Sequence, residues 1–214
     1  MAAWALFATG EALYGDLDGA TDFAAIADGS GRFAAGALLQ LLAAVLLAGG
    51  VVALILSLRE RAPRLALFGG WLGLVGAVGV AAFSQFHLIL LAMTDPALDR
   101  SALNSFLTGP LQTGGLWGIP IAFVLVAVPV AFFLLALGTA RAGFTSRWPA
   151  GLIVVHTVVH LGIPGDRVEV ASHYLLAVAL AWIAISVLRQ SAAPAAREPS
   201  GARLHARQSA TTTD

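Results

Sequence analysis

The sequence predicts an all-α, polytopic transmembrane helix bundle with five full spans, one partial N-terminal helix and short outer amphipathic elbows. Three observations predict it. The chain has 214 residues, of which 58% are hydrophobic and only 11% charged, so it lacks the polar surface with which a soluble domain of this size covers its core. Its mean hydropathy is +0.85, and its apolar residues gather into runs comparable with the roughly 20 helical residues that cross a bilayer core. Its twelve basic residues are all arginine, and nine of them fall on one side when the connections between runs are sorted alternately.

Residues 2–14, AAWALFATGEALY, are too short to span and follow no basic segment, so they read as half a helix rather than as a secretory signal. Two explanations stand: a sixth span cut short, by start-site assignment or by genuine shortening, or a short outer helix lying on the bilayer. The first full span is Phe33 to Leu58, interrupted only by Gln40 and Ser57, and the second is Leu65 to Met93. The third, Gly114 to Gly138, has no polar side chain. The fourth, Trp148 to Pro164, is short and carries His156, Thr157 and His160, and the fifth is Val170 to Leu188. Residues 1–190 thus form one transmembrane domain. Residues 191–214, rich in Ala, Pro, Ser and Thr, form a disordered cytoplasmic tail.

Orientation follows from the arginines, since basic flanks are retained on the cytoplasmic side. RERAPR, RAGFTSR and the tail hold nine of them, whereas the opposite side keeps Arg32, Arg100 and Arg167 together with nine of the twelve acids. The N-terminal segment is therefore outside and the C-terminus cytoplasmic, in the cytoplasmic (inner) membrane. Trp117 and Tyr174 fall near the outer boundary and Trp148 near the inner one, where amphipathic rings settle. The outer segments TDFAAIADGSGR and TDPALDRSALNSFLTG each start a short elbow helix, Asp95 capping one and Asp18 or Thr21 the other. Their similar placement, each before a span and a basic turn, points to a repeated hairpin unit.

Two packing features stand out. Gly69, Gly73, Ala77 and Ala81 recur every four residues, a ladder of small side chains that lets a neighbouring helix approach closely. FGGWLGLVGAVG is not a phosphate-binding loop, because no strand precedes it and no Gly-Lys-Ser/Thr follows. Pro129 lies within the third span, where it removes one hydrogen bond and clashes with the carbonyl of Leu125, so a kink is expected.

The order DGSGR, a leucine-rich span, RERAPRLALFGGWLGLVGA, an outer elbow and RWPAGLIVV resembles the small alanine- and leucine-rich multi-pass membrane proteins of actinobacteria, an uncharacterised family. The resemblance covers most of residues 1–190 and implies a bundle of about six spans in the membrane. It carries no catalytic motif, and the incomplete first span departs from its pattern.

Chemistry concentrates in HTVVHLGIPGDRVEVASH, residues 156–173. His156 and His160 are four apart and share one helical face. Folding the hairpin between Asp166 and Arg167 sets His160 opposite His173, with Glu169 one turn nearer water, while His87 comes near the outer end of the second span. Ionisable residues at such depth are candidate functional groups by default. Three readings are open: neutral structural histidines in a protein that is not an enzyme; a transition-metal or haem site in a membrane oxidoreductase; and a path for a proton or small solute. HTVVH lacks the glutamate that a zinc-protease helix places after its first histidine, and no cofactor is required by any motif. The lipid bilayer is the expected partner, with a second copy or another membrane protein as further candidates; nucleic acid is not expected. The absence of cysteine rules out disulfides and thiolate ligands.

Overall fold

The computed structural model describes residues 2–14, 23–99, 101, 102, 105, 123–162 and 166–192, apart from the side chains of Asp166, Arg167, Glu169, Ser191 and Ala192. The described residues form helices joined by turns, with no strand among them. The helices are α1 (Ala2–Tyr14), α2 (Phe23–Asp28), α3 (Ser30–Leu58), α4 (Pro63–Ala92), a π-helical turn (Phe123–Ala127) running into α5 (Val128–Arg141), α6 (Trp148–Gly162) and α7 (Asp166–Ala192). Four segments are long and apolar enough to cross a membrane: Ser30–Leu58, Pro63–Ala92, Phe123–Arg141 and Val170–Gln190. Trp148–Gly162 is apolar but shorter. The first part of the expected third span, Trp117, the IPG turn, most of the second outer elbow and the tail lie outside the described residues.

These helices are apolar on nearly every side, so the inward face is marked by small size and by the few polar side chains. On α3 the buried positions are Phe33, Gly36, Ala37, Gln40, Ala43, Ala44, Leu47, Val51 and Leu58, a seam with three- and four-residue spacing. The opposite face carries large apolar groups directed outward, among them Leu38, Val45 and Leu56. Trp71 and Val78 are each 65% exposed on α4 and Val158 64% on α6. Apolar surface of this extent, distributed around the bundle, suits lipid rather than water.

Each long helix packs on the next, α3 on α4, α4 on α5, α5 on α6 and α6 on α7, and α1 touches both α3 and α7, closing a ring of six. Helix α1 packs into that ring through its aromatic face, with Trp4 2% exposed, Phe7 1% and Ala8 0%. Its contact with α3 is backbone to backbone. A Cβ on Gly10 would come within 2.8 Å of the Gly36 carbonyl oxygen and of Gln40 Cγ, and one on Gly36 within 2.8 Å of the Gly10 carbonyl oxygen. Small residues at such a crossing replace the hydrophobic drive that lipid does not supply.

The small residues of α4 serve two neighbours rather than one. Gly69 faces Leu134, Leu135 and the Ala131 carbonyl of α5, and Gly76 faces Val128. Gly70 and Gly73 instead face Ile55 and Val51 of α3. A four-residue step turns about 400°, so the ladder drifts around the helix and α4 is wedged between two partners. Pro129 is accommodated by the π-helical turn that precedes it, Phe123–Ala127. Widening the helix just before the ring relieves the clash with the preceding turn.

At the arginine-rich end, three connections are tied together. Arg61 donates to the Ala142 carbonyl at 3.4 Å and lies 4.9 Å from the Phe144 ring centroid. Gln190 of α7 donates to the carbonyls of Gly143 and Phe144 at 2.9 and 3.1 Å. Gly143 has φ 77°, the left-handed conformation in which glycine ends helix α5 without a steric penalty. At the other end, Phe23 and Ile26 of α2 are buried with Tyr14, Phe33, Ala37 and Leu90. Asp95 accepts from the Ala97 amide at 2.9 Å rather than capping a helix there. The capping contacts come from Asp99, which accepts from the amides of Ser101 and Ala102.

Candidate functional site: a buried histidine and glutamate cluster

Helices α6 and α7 pack side by side, which brings His156, His160 and His173 together. The ring centroids are 5.5 Å apart for His156 and His160, 5.1 Å for His156 and His173, and 4.9 Å for His160 and His173. His156 is 1% exposed and His173 2%, while His160 is half-buried. From α1, Glu11 Oε2 reaches to 2.7 Å from His173 Nε2. The two atoms are in ion-pair range but not in hydrogen-bond geometry, and a carboxylate and an imidazole so close attract when the ring is protonated.

The local chemistry assigns part of the protonation pattern. His156 Nδ1 is 3.0 Å from the Ser172 carbonyl oxygen. A carbonyl only accepts, so His156 Nδ1 carries the proton and donates, and in the neutral ring Nε2 keeps its lone pair. The cluster is walled by aromatic faces. Trp4 meets His173 edge-on at 5.7 Å and His156 at 6.5 Å, and Phe7 meets His173 at 5.3 Å. The Trp4 Nε1–H is buried without a hydrogen-bond partner among the described residues.

His87 stands elsewhere. Its Nδ1 donates to the Phe83 carbonyl at 3.0 Å, and its ring stacks on Tyr14 at 4.3 Å with Phe83, Phe33 and Phe86 around it. Tyr14 in turn donates to Gln40 Oε1 at 3.0 Å. Tyr14 stands three positions after Glu11 on α1, so one short helix carries a polar group to each of two clusters, one on α6 and α7 and one on α3 and α4. The backbone of Glu169 belongs to α7, and its side chain lies outside the described residues.

Glu11 is the residue of this candidate cluster that sequence reasoning counts only among the outer acids. A signal for it exists: Trp4, Phe7 and Glu11 follow the i, i+3, i+7 spacing of one helical face, so the carboxylate is presented wherever those two rings are buried. Among the described residues, no group of three or more His, Asp or Glu side chains is arranged to hold a metal ion. His156 and His160 lie nearly parallel, 22° between planes, rather than aiming at one point. No protein-family model, curated protein or solved structure matches this chain.

Proposed function

We propose that this chain is a multi-pass protein of the cytoplasmic membrane, not an enzyme, whose buried His156 and His173 and half-buried His160 and Glu11 form a ligand site, and that the ligand is a proton. The observation that carries this reading is the 2.7 Å contact between Glu11 and His173 inside a bundle of membrane-length helices. A carboxylate removed from water at this depth is costly without a compensating charge. One added proton brings three imidazoles and one carboxylate to net zero. A divalent metal would leave a net positive charge unless a further anion accompanied it. Electrostatics and ring orientation therefore both favour the proton.

In this reading the chain has five full spans and one partial helix, α1. The arginine-rich end is cytoplasmic, and the cluster lies in the outer half. Its composition and segment order support grouping it with the small alanine- and leucine-rich actinobacterial membrane proteins. A proton held between α1, α6 and α7 suits a protein that senses protons or couples their movement to that of a small solute.

A second reading, a transition metal or haem held by the imidazoles, is favoured by the compact triangle of rings and requires them to turn toward a common centre. One experiment separates the two. Protein with ¹⁵N-labelled histidine, purified and placed in lipid nanodiscs, is expected to be metal-free by elemental analysis and to lack a Soret band. It is expected to show a shared-proton signature at His173 that Glu11→Gln removes. Near-stoichiometric metal, or a His173 signal indifferent to Glu11→Gln, would overturn the proton reading.

A further inference from the structure

Between α3 and α7, where α1 does not reach, the ring opens into an apolar groove. It encloses about 300 Å³ and is lined chiefly by Leu46, Gly50 and Leu54 of α3, Phe132 of α5, and Ile183 and Leu188 of α7. Ala3 closes its upper end and Ser57 lies at its lower end. From Leu46 to Ser57 the wall rises about 17 Å at 1.5 Å per residue, close to the roughly 15 Å that one leaflet contributes to the hydrocarbon core. Arg59 directly follows α3, two residues beyond Ser57, and Arg189 follows Leu188 in the last turn of α7. Glu60 is the acid beside them, itself 83% exposed and only loosely paired with Arg59 at 3.9 Å.

We infer that this groove binds one acyl chain of an anionic phospholipid from the arginine-side leaflet, with the headgroup phosphate held at the rim by Arg59 and Arg189. The inference rests on the membrane placement proposed above and is independent of the histidine cluster. Length, apolarity and charge agree: an apolar groove about one leaflet long, with an arginine within two residues of the last lining position on each of its two long walls. An acyl chain gains little by exchanging lipid for an equally apolar wall, so selectivity comes from the headgroup. Each arginine near the surface contributes roughly a fivefold preference, the equivalent of ~1 kcal/mol.

Gly50 makes the test clean, because a Cβ built there meets nothing within 4 Å. Gly50→Phe therefore fills the groove rather than colliding with the fold. Gly49 is equally unobstructed and lies outside the lining, so Gly49→Phe is the control. Membrane fractionation and a helical spectrum in detergent establish first that each variant is inserted and folded. Recovery of the wild type in the soluble fraction would defeat the membrane placement itself.

Native mass spectrometry of protein exchanged into equal phosphatidylglycerol and phosphatidylcholine of matched chains then counts retained lipid. The expected result is one phosphatidylglycerol retained on the wild type and on Gly49→Phe, and at least tenfold less on Gly50→Phe. The double variant Arg59→Gln/Arg189→Gln is expected to lose roughly tenfold or more of the preference over phosphatidylcholine. Equal retention of both lipids, or retention unaffected by Gly50→Phe, overturns the inference. A wild-type dimer that Gly50→Phe converts to monomer would assign the groove to a second copy. Absence of retained lipid, with an intact mass from the native host larger than residues 1–214, would assign it to further helix preceding Met1.

Discussion

Glu11 and His173 form a demanding contact among the described residues, because His173 is buried and the Glu11 side chain is only 11% exposed. Glu11→Gln keeps the shape and removes the charge, so it is expected to destabilise the protein by about 2 kcal/mol, the scale of leaving a buried polar group uncompensated. Thermal melts in detergent, compared with Glu11→Gln/His173→Gln, check this: the double variant should cost less than the sum of the singles, since the two side chains act as a pair. His87→Ala should behave differently. It opens a cavity among Tyr14, Phe33 and Phe83 and is expected to lower stability by about 2 to 4 kcal/mol, while leaving the ¹⁵N signals of His156, His160 and His173 in place. The closeness of His156, His160 and His173 is what four-residue spacing and a folded hairpin imply. The partition of His87 into an aromatic cluster was not legible, because sequence shows depth along a span but not which neighbour a face meets. Glu11 was half legible: its spacing from Trp4 and Phe7 aligns the three, but nothing local says that α7 stands opposite.

At the scale of single helices, apolar length and arginine punctuation mark out most of the architecture. The run from Phe33 to Leu58 lies within α3 and the run from Val170 to Leu188 within α7. The ends of these helices extend further because Ser, Arg and Gln continue a helix beyond the hydrocarbon. The glycine pattern on α4 was visible, but its division between two neighbours was not, since a four-residue ladder reads as one stripe until its drift is followed. Gly76→Leu is expected to destabilise by about 1 to 3 kcal/mol through overpacking against Val128. Gly151→Leu, where a Cβ meets nothing within 4 Å, should be tolerated, and a comparison of their melting temperatures decides. Pro129 shows the same limit. The proline signals a local break, but whether it bends the axis or widens the helix depends on the packing around it. Pro129→Ala is expected to let residues 123–127 return to ordinary i→i+4 hydrogen bonds, measurable as slower amide exchange across that turn.

At the scale of the whole molecule, orientation is the property most readily tested. The chain contains no cysteine, so single cysteines report cleanly. Ser101→Cys is expected to react with a membrane-impermeant maleimide in intact cells, and Ser191→Cys only after the membrane is opened. The reverse pattern would invert the arginine argument. The tie between Arg61, Gln190 and the residues 142–144 also predicts that the arginine-rich end moves as one plate. Any motion associated with proton binding is then expected at the opposite end, between α1 and the α6–α7 pair, and hydrogen exchange measured on wild type and Glu11→Gln should differ there first.

The ring is closed by the first helix against the last, and this has a consequence for biosynthesis. In the membrane placement proposed above, Glu11 reaches the bilayer long before His173 is synthesised, so its carboxylate waits without the imidazole through most of translation. Assembly is therefore late and all at once: the α1–α7 seam, the neutral cluster and the closed bundle are expected to appear together once the final helix has inserted. Nascent chains arrested ahead of His173 should remain open and be degraded quickly, and pulse-labelled protein should gain protease resistance in a single step at the end of synthesis.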